Sequence, residues 1–371
     1  MSFEVKEVGS RGDMRQFIGL PLSLYTDDPR YVPPLLAERK EFLSDRNPAF
    51  DFTHVRYLLA RDDAGLVLGR TTAHVNSRHN EFAGEQTGFF GFFECVDDFD
   101  VARLLMVEVE RWLAEQGMDT VRGPFNFSTN HECGFLTSGF DTPPAVMMPH
   151  TKPYYPGLFD RLGYRAAKEL VAYDYTYTGK IPEHLVRFGN RVQERSPARI
   201  RTIDMSRFEQ DVTEVFSVYN RAWSENWGFV PMTAEQFAFS ARSLKRIVDP
   251  EMALIAEIDG EPVGFFLALP DINVLLKHMN GRLFPFGFLR FLLGRRRIKS
   301  VRVITLGVVK EHRNKGIDSL LACRAFQNGA RRGYKRAEFS WILEDNVLLR
   351  RGLDRMGAVP YKTYRIYEKS L

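Results

Sequence analysis

Cysteine is scarce in this chain of 371 residues: Cys95, Cys133 and Cys323 stand far apart, without metal-ligand spacing. That excludes a disulfide framework and a thiolate metal centre, and it predicts reduced, mostly buried thiols of the cytosolic kind. No run reaches the roughly 20 apolar residues of a membrane-spanning helix. The opening segment MSFEVKEVGSRGDM lacks an apolar core, so no secretory signal is expected. A surplus of either charge is missing too. The net charge of +4 is too slight to indicate bulk binding to DNA or RNA, so any basic effect must be local. What is present, 44% hydrophobic and 26% charged residues, is the balance of a soluble globular protein long enough for two domains.

The chain repeats one plan. ARDDAGLVLGR (60–70) and AEIDGEPVGFF (256–266) both read as strand, acidic turn, strand. WLAEQGMDTVRG (112–123) matches NGARRGYKRAEF (328–339) as helix end, C-cap glycine and strand. YYPGLFDRLGYRAAKELVAYDY (154–175) matches VLLRRGLDRMGAVPYKTYRIYE (347–368) as short helix, glycine and strands. Gly69 with Gly264 and Gly163 with Gly357 are almost equally spaced, and Gly117 with Gly333 is farther apart, which a tandem α/β duplication with one insertion in each half explains; chance matches of glycine-terminated elements are the alternative. The expected division is 1–177, a polar linker at 178–200, and 201–371.

The last seventy or so residues open with a strand at 301–309 (VRVITLGVV), a basic loop at 310–318 (KEHRNKGID) and a helix from about Asp318 to Ala330. The first N–H groups of such a helix are unpaired and carry partial positive charge, which suits a phosphate. Arg313 and Lys315 add full charges, and Gly316 lets backbone approach a ligand without a Cβ in the way.

An Arg-x-x-Gly-x-small pattern after a strand resembles the pyrophosphate loop of the GNAT acyltransferases. That resemblance implies a mixed α/β sheet in each of two tandem GNAT-like domains, with acyl-coenzyme A lying between splayed strands of the second. Leu306, Gly307, Val308 and Val309 would line the gap, with N–H groups of Val308 and Val309 polarising the thioester. Arg313, Asn314, Lys315, Gly316, Ile317 and Asp318 would form the phosphate loop. Asn346 resembles the asparagine that contacts the pantetheine arm, and it serves equally as a helix N-cap. Asp318 departs from the family's Gly or Ala. Leu353 stands where many members carry a tyrosine that protonates the departing thiolate, so Tyr361, Tyr364 or water must substitute. The corresponding turn of the first half carries Asp97, Asp98 and Asp100 and no glycine, so it is not expected to hold phosphates.

The first half has an extra segment, 123–157, that sets Asn126, Ser128, Asn130, His131, Glu132 and His150 among aromatics. In tandem GNAT proteins the non-catalytic copy often closes over the acceptor site. Glu132 or His131, with Glu94 at the end of the aromatic strand GFFGFFE and Glu344 beside Asn346, are therefore the candidate bases for the amine. The alternative for each is hydrogen bonding that fixes the local chain. His131-Glu132-Cys133 lacks a second ligand pair, which argues against zinc. In the second half, 272–299 crowds Leu283, Phe284, Phe286, Phe288, Leu289, Phe291, Leu292 and Leu293 before Arg295, Arg296, Arg297 and Lys299. This suits shallow contact with an anionic membrane, a lid over a long acyl chain, or plain core with solvated arginines.

The whole chain resembles a bacterial tandem GNAT family related to GNAT-type ceramide synthases, through PLSLYTDDPRYVPPLLAE, GFFGFFE, VRGPFNFSTNHECG and the C-terminal loop. The resemblance implies an N-acyltransferase that moves a long acyl group from acyl-coenzyme A, or acyl carrier protein, to a lipid amine such as a sphingoid base. It would be cytoplasmic, or peripheral at the inner membrane through 283–299. Two other functions fit: aminoacyl or peptidyl transfer from charged tRNA, using Arg295–Lys299 and Arg331–Arg336, or a non-catalytic module that binds acyl-coenzyme A.

Overall fold

The computed structural model describes residues 3–179, 187, 189, 191–194, 196–282 and 287–371, with Arg290 described by its backbone alone. Most of the expected linker middle, and Leu283, Phe284 and Phe286 of the apolar insertion, lie outside the described residues. The chain forms two compact units that are not contiguous in sequence: Met1–Leu170 with Asn273–Leu293 and Lys362–Leu371, and Val171–Ile272 with Gly294–Tyr361.

In the first unit, β1 (Phe3–Glu7), β2 (Thr53–Asp62), β3 (Val67–Asn76), β4 (Thr87–Cys95) and β5 (Thr120–Gly123) are neighbours in that order. The helices are α1 (Arg11–Leu24), α2 (Leu36–Phe42), α3 (Ser77–Ala83), α4 (Phe99–Glu115) and α5 (Tyr155–Arg161). Ser10 and Asp13 form a capping box that starts α1. Asp98 caps α4 by accepting from the N–H groups of Asp100 and Val101 at 2.8 and 3.2 Å. The acidic turn of the first half is thus a helix cap, as its composition allowed. On α4, Val101, Leu105, Val109 and Trp112 recur at helical spacing and enter the main core with Phe90, Phe93 and Phe159. All nine residues of β4 are buried, which bears out GFFGFFE as an interior strand. Beyond β6 (Phe135–Ser138) and the first residues of β7 (Arg165–Thr176), this unit takes in the end of the last strand, β13 (Val359–Ser370). Tyr367–Ser370 pairs antiparallel with Gly123–Thr120 of β5.

In the second unit, the end of β7 lies beside β12 (Arg336–Leu343), followed by β11 (Ser300–Val308), β10 (Glu261–Pro270), β9 (Ala253–Ile258) and β8 (Arg199–Thr202). Helix α6 (Phe208–Trp223) packs on β10 and β11 and is followed by α7 (Ala234–Leu244). The insertion after β10 supplies α8 (Asn273–Leu276) and α9 (Gly287–Gly294), which belong to the first unit up to Leu293. Helices α10 (Ile317–Arg332) and α11 (Val347–Met356) close the order. Four strand and helix ends differ slightly from the sequence reading: β11 is Ser300–Val308, one residue earlier at both ends, and α10 starts one residue earlier and runs two residues further than expected. The three cysteines are buried and none of them forms a disulfide. Among the described residues, no helix is long and apolar enough to cross a membrane.

Candidate functional site

The site of the second unit is a fork between two parallel strands. The β11–β12 ladder runs from Ser300↔Arg336 to Val303↔Phe339 and stops there, while β11 continues to Val308. On its other edge β11 carries one extra residue: Leu267 faces Thr305 and Ala268 faces Val303, so Ile304 is bulged. A bulge bends its strand and breaks pairing at that point, which accounts for the fork. Gly307 lies along the open stretch, but its reason is local packing rather than ligand approach. A Cβ there would stand 1.9 Å from the Trp223 ring of α6. Tyr219, Trp223 and Phe265 form the aromatic bed beneath this part of β11.

Past the fork the chain turns through Lys310–His312 into α10. Asn314 (φ 59°) and Gly316 (φ 78°) both adopt left-handed conformations, which turns successive N–H groups toward one side. Gly316 is the N-cap of α10 and no side chain caps that end, so its first-turn amides face the loop. Lys315 and Asp318 are exposed, and Ile317 is buried in the core. Arg313 is committed elsewhere. Its guanidinium donates to the carbonyls of Val308 (3.3 Å) and Ala222 (2.7 Å) and to Glu225 (3.0 Å), tying the loop to the end of α6. The Val309 N–H donates to Val263 O at 2.9 Å, so it is not available to polarise a thioester, contrary to the expectation. Leu306 and Val308 pair with Phe266 and Gly264. Asn346 caps α11 through the Leu349 N–H at 3.3 Å, and Glu344 is exposed at the end of β12.

Leu353 is buried among Tyr173, Ile342 and Ala358. The position therefore belongs to the core, and Leu353→Tyr should overpack it. We expect a loss of about 1–3 kcal/mol in chemical denaturation, with no gain in acyl transfer. Of the two tyrosines offered as substitutes, Tyr364 is wholly buried and belongs to the first unit. Tyr361 is half-buried in the second, and its hydroxyl donates to Glu338 Oε2. The other oxygen of Glu338 accepts from Ser340 Oγ at 2.7 Å, and Ser340 Oγ in turn accepts from Arg302 Nε at 2.8 Å. Arg302 and Glu338 are each 3% exposed. The sequence reading missed this network, although a charged residue within the apolar parallel strand RAEFSWIL was its signal.

Glu94, His131 and Glu132 lie in the first unit, each with partners in place. Glu94 accepts from Tyr25 and Tyr155 hydroxyls at 3.0 and 2.8 Å, with Arg70 at 4.0 Å; burial pushes its carboxyl up. Glu132 is raised by burial, but Arg39 at 3.2 Å and the Asn126 amide at 2.8 Å outweigh this and hold it below the usual range. His131 is lowered to about 4 by burial, sits edge-on to Phe42 and is neutral at physiological pH. His150 pairs with Asp28 at 2.7 Å. Among the described residues, no group of three His, Cys, Asp or Glu is placed to hold a metal ion.

The first unit has the same bulged strand but a filled fork. Arg70 faces Glu94 and Thr72 faces Gly91, so β4 carries an extra residue near Phe92, which has φ 49°. The β4–β5 ladder ends at Phe89↔Arg122. Beyond it the chain's own Phe125 N–H donates to Phe90 O at 2.7 Å, and Asn126 Oδ1 accepts from the Phe92 N–H at 2.9 Å. Backbone and an amide of the 123–157 segment thus occupy the edge that β4 would offer a ligand.

No family model matches the chain. It is 39% identical over 373 residues to protein YghO of Escherichia coli, covering 98% of this chain and 94% of that one. It is 36% identical over 374 residues to the bacterial ceramide synthase of Caulobacter vibrioides, covering 98% and 96%. Among solved structures it matches a tandem GNAT protein of the clavulanic acid biosynthesis pathway at a TM-score of 0.59 and 13% identity, covering 100% of this chain and 98% of that one. It also matches a GCN5-related N-acetyltransferase of Sphaerobacter thermophilus at a TM-score of 0.52 and 14% identity, covering 99% and 95%. The bulged, forked strand followed by a glycine-capped helix thus sits in a tandem GNAT fold, and the chain belongs to the acyltransferase family of the Caulobacter ceramide synthase and YghO.

Proposed function

We propose that the protein is an N-acyltransferase that moves a long acyl group from acyl-coenzyme A, or acyl carrier protein, to a lipid primary amine such as that of a sphingoid base. Its plan is two tandem copies, 1–177 and 201–371, with the acyl donor bound by the second. The observation that carries the reading is the 36% identity to a ceramide synthase across nearly all of both chains. The open β11–β12 fork and the uncapped α10 support a donor site there, and the filled fork of the first unit supports one donor site per chain. Lys315, Gly316 and the first amides of α10 would take the pyrophosphate, with Asn346 near the pantetheine arm.

A lipid substrate is supported by α9, where Leu289, Leu292 and Leu293 are 57%, 48% and 77% exposed. Three exposed leucines on an eight-residue helix, followed in sequence by Arg295, Arg296, Arg297 and Lys299, suit shallow insertion into an anionic bilayer. At about 0.8 kcal/mol per buried CH₂, three leucines outweigh any single charge. The triple variant Leu289→Ser, Leu292→Ser, Leu293→Ser should lower co-sedimentation with phosphatidylglycerol vesicles at least tenfold. The tRNA alternative loses support because Arg331, Arg332 and Arg336 are paired with Glu251, Asp249 and Asp174. The test is transfer from palmitoyl-coenzyme A to sphinganine, followed by mass spectrometry of the amide. Turnover with sphinganine and none with short soluble amines supports the reading; release of coenzyme A without any N-acyl product across amines contradicts it.

A further inference from the structure

We propose that Tyr361 is the acid that protonates the departing thiolate, recharged by Glu338 within the buried Arg302–Ser340–Glu338–Tyr361 network. This rests on the acyl-transfer reading above and assigns a residue to a step for which the chain lacks the usual tyrosine, since position 353 is a core leucine.

The placement is specific. Arg302 and Glu338 face each other one rung before the last, Val303↔Phe339, and Ser340 is the next β12 residue beyond that rung. The network therefore lies where β11 and β12 part, beside the bulge at Ile304. Glu338 and Ser340 share a face of β12 by strand alternation, and Tyr361 reaches the same carboxylate from β13. Tyr361 is half-buried, whereas Glu338 lies beneath it at 3% exposure, so the phenol is the member that a ligand meets.

Energetics separate this arrangement from ordinary packing. Burying a carboxylate and a guanidinium costs several kcal/mol per ion, and apolar residues of similar volume commonly fold as stably. A fork that retains three connected polar groups of its own strands, joined to a fourth from β13, is better explained by chemistry than by stability. Lys310 and Lys315 are spent on the loop side, toward Glu225 and solvent, and do not enter the network.

The proton balance closes within this group. The neutral amine attacks the thioester carbonyl and forms the C–N bond. The nitrogen proton passes through the Tyr361 hydroxyl to the Glu338 carboxylate as the C–S bond breaks. The departing thiolate takes the Tyr361 proton, and Tyr361 phenolate takes the proton from Glu338. The products are the amide and free coenzyme A thiol, with tyrosine and glutamate returned to their starting states. Arg302, acting through Ser340 Oγ, is a positioning residue that keeps Glu338 aimed at the phenol.

The test compares Tyr361→Phe with the wild type, using palmitoyl-coenzyme A and sphinganine, and then a palmitoyl thioester of 4-nitrothiophenol. With coenzyme A as leaving group, kcat should fall about 100-fold, within the range of general-acid catalysis, while palmitoyl-coenzyme A binding stays within about threefold. With 4-nitrothiophenol, whose thiolate leaves without a proton, the loss should shrink below about fivefold. Glu338→Gln, checked for folding by its melting temperature, should show the same dependence on leaving group. Wild-type turnover by Tyr361→Phe, or an equal loss with both thioesters, overturns the role of Tyr361 alone. A wild type that transfers no palmitoyl group overturns the function on which it rests.

Discussion

Replacing Gly316 by glutamate is expected to weaken palmitoyl-coenzyme A binding by at least about 100-fold, an energy of roughly 2.8 kcal/mol. Two effects act together. Gly316 has φ 78°, and holding a side-chain residue in that region costs roughly 1–2 kcal/mol. Its Cβ would also stand 2.7 Å from Val192 Cγ2, so either the loop or Val192 must shift. In addition, a carboxylate at ~6 Å from a phosphate adds roughly 3 kcal/mol of repulsion at an effective dielectric of about 20. Lys315→Glu separates the two effects, because Lys315 is exposed and carries no such strain. That variant should keep the wild-type melting temperature and lose about tenfold in affinity by calorimetry. Unchanged binding by both variants would remove the phosphate role of this loop.

The second large effect concerns the filled fork. In Gly91→Ala the new Cβ would stand 1.8 Å from the Phe125 carbonyl oxygen and 2.7 Å from its carbon. Both are backbone atoms, so the cost cannot be met by turning a side chain. Moving Phe125 strains its 2.7 Å bond to Phe90 and disturbs Asn126, which bridges Phe92 N–H and Glu132. Overpacking and one or two weakened hydrogen bonds together cost about 3 kcal/mol. At roughly 2–4 °C per kcal/mol, the melting temperature should fall by about 6–12 °C. Gly157→Ala is the matched control, since Gly157 lies within α5 with nothing within 4 Å of a Cβ. It should be neutral or stabilise by about 0.5–1 kcal/mol. Equal melting temperatures for the two variants would mean that the 123–134 chain is not packed against β4 as described.

Elements governed by nearby residues could be read from the sequence. The interior strand GFFGFFE, the glycine opening α10 and the N-cap at Asn346 all depend on short-range periodicity and capping chemistry. Strand register depends on partners far away, and there the sequence was silent. The pairing of Tyr367–Ser370 with β5 cannot be inferred from the repeat, because both halves end in the same helix-glycine-strand pattern. A glycine in a strand marks any close neighbour, so Gly307 reads equally as lining a ligand gap; here the neighbour is the Trp223 ring. Glu94, His131 and Glu132 read as candidate bases because they are polar residues among aromatics. Their chemistry was hidden, since Arg39, Arg70, Tyr25 and Tyr155 come from other elements. The network on Arg302, Glu338, Ser340 and Tyr361 joins three strands, and only the parallel register of β11 and β12 brings it together.

The claim on which the rest depends is that the second unit alone binds the acyl donor. Native mass spectrometry of the full chain titrated with palmitoyl-coenzyme A measures this directly. One molecule bound per chain, lost in Gly316→Glu and retained in Tyr361→Phe, is the predicted result. No binding, or two molecules per chain, would contradict it: the first would remove the donor site, and the second would show that the chain-filled fork of the first unit still admits a ligand.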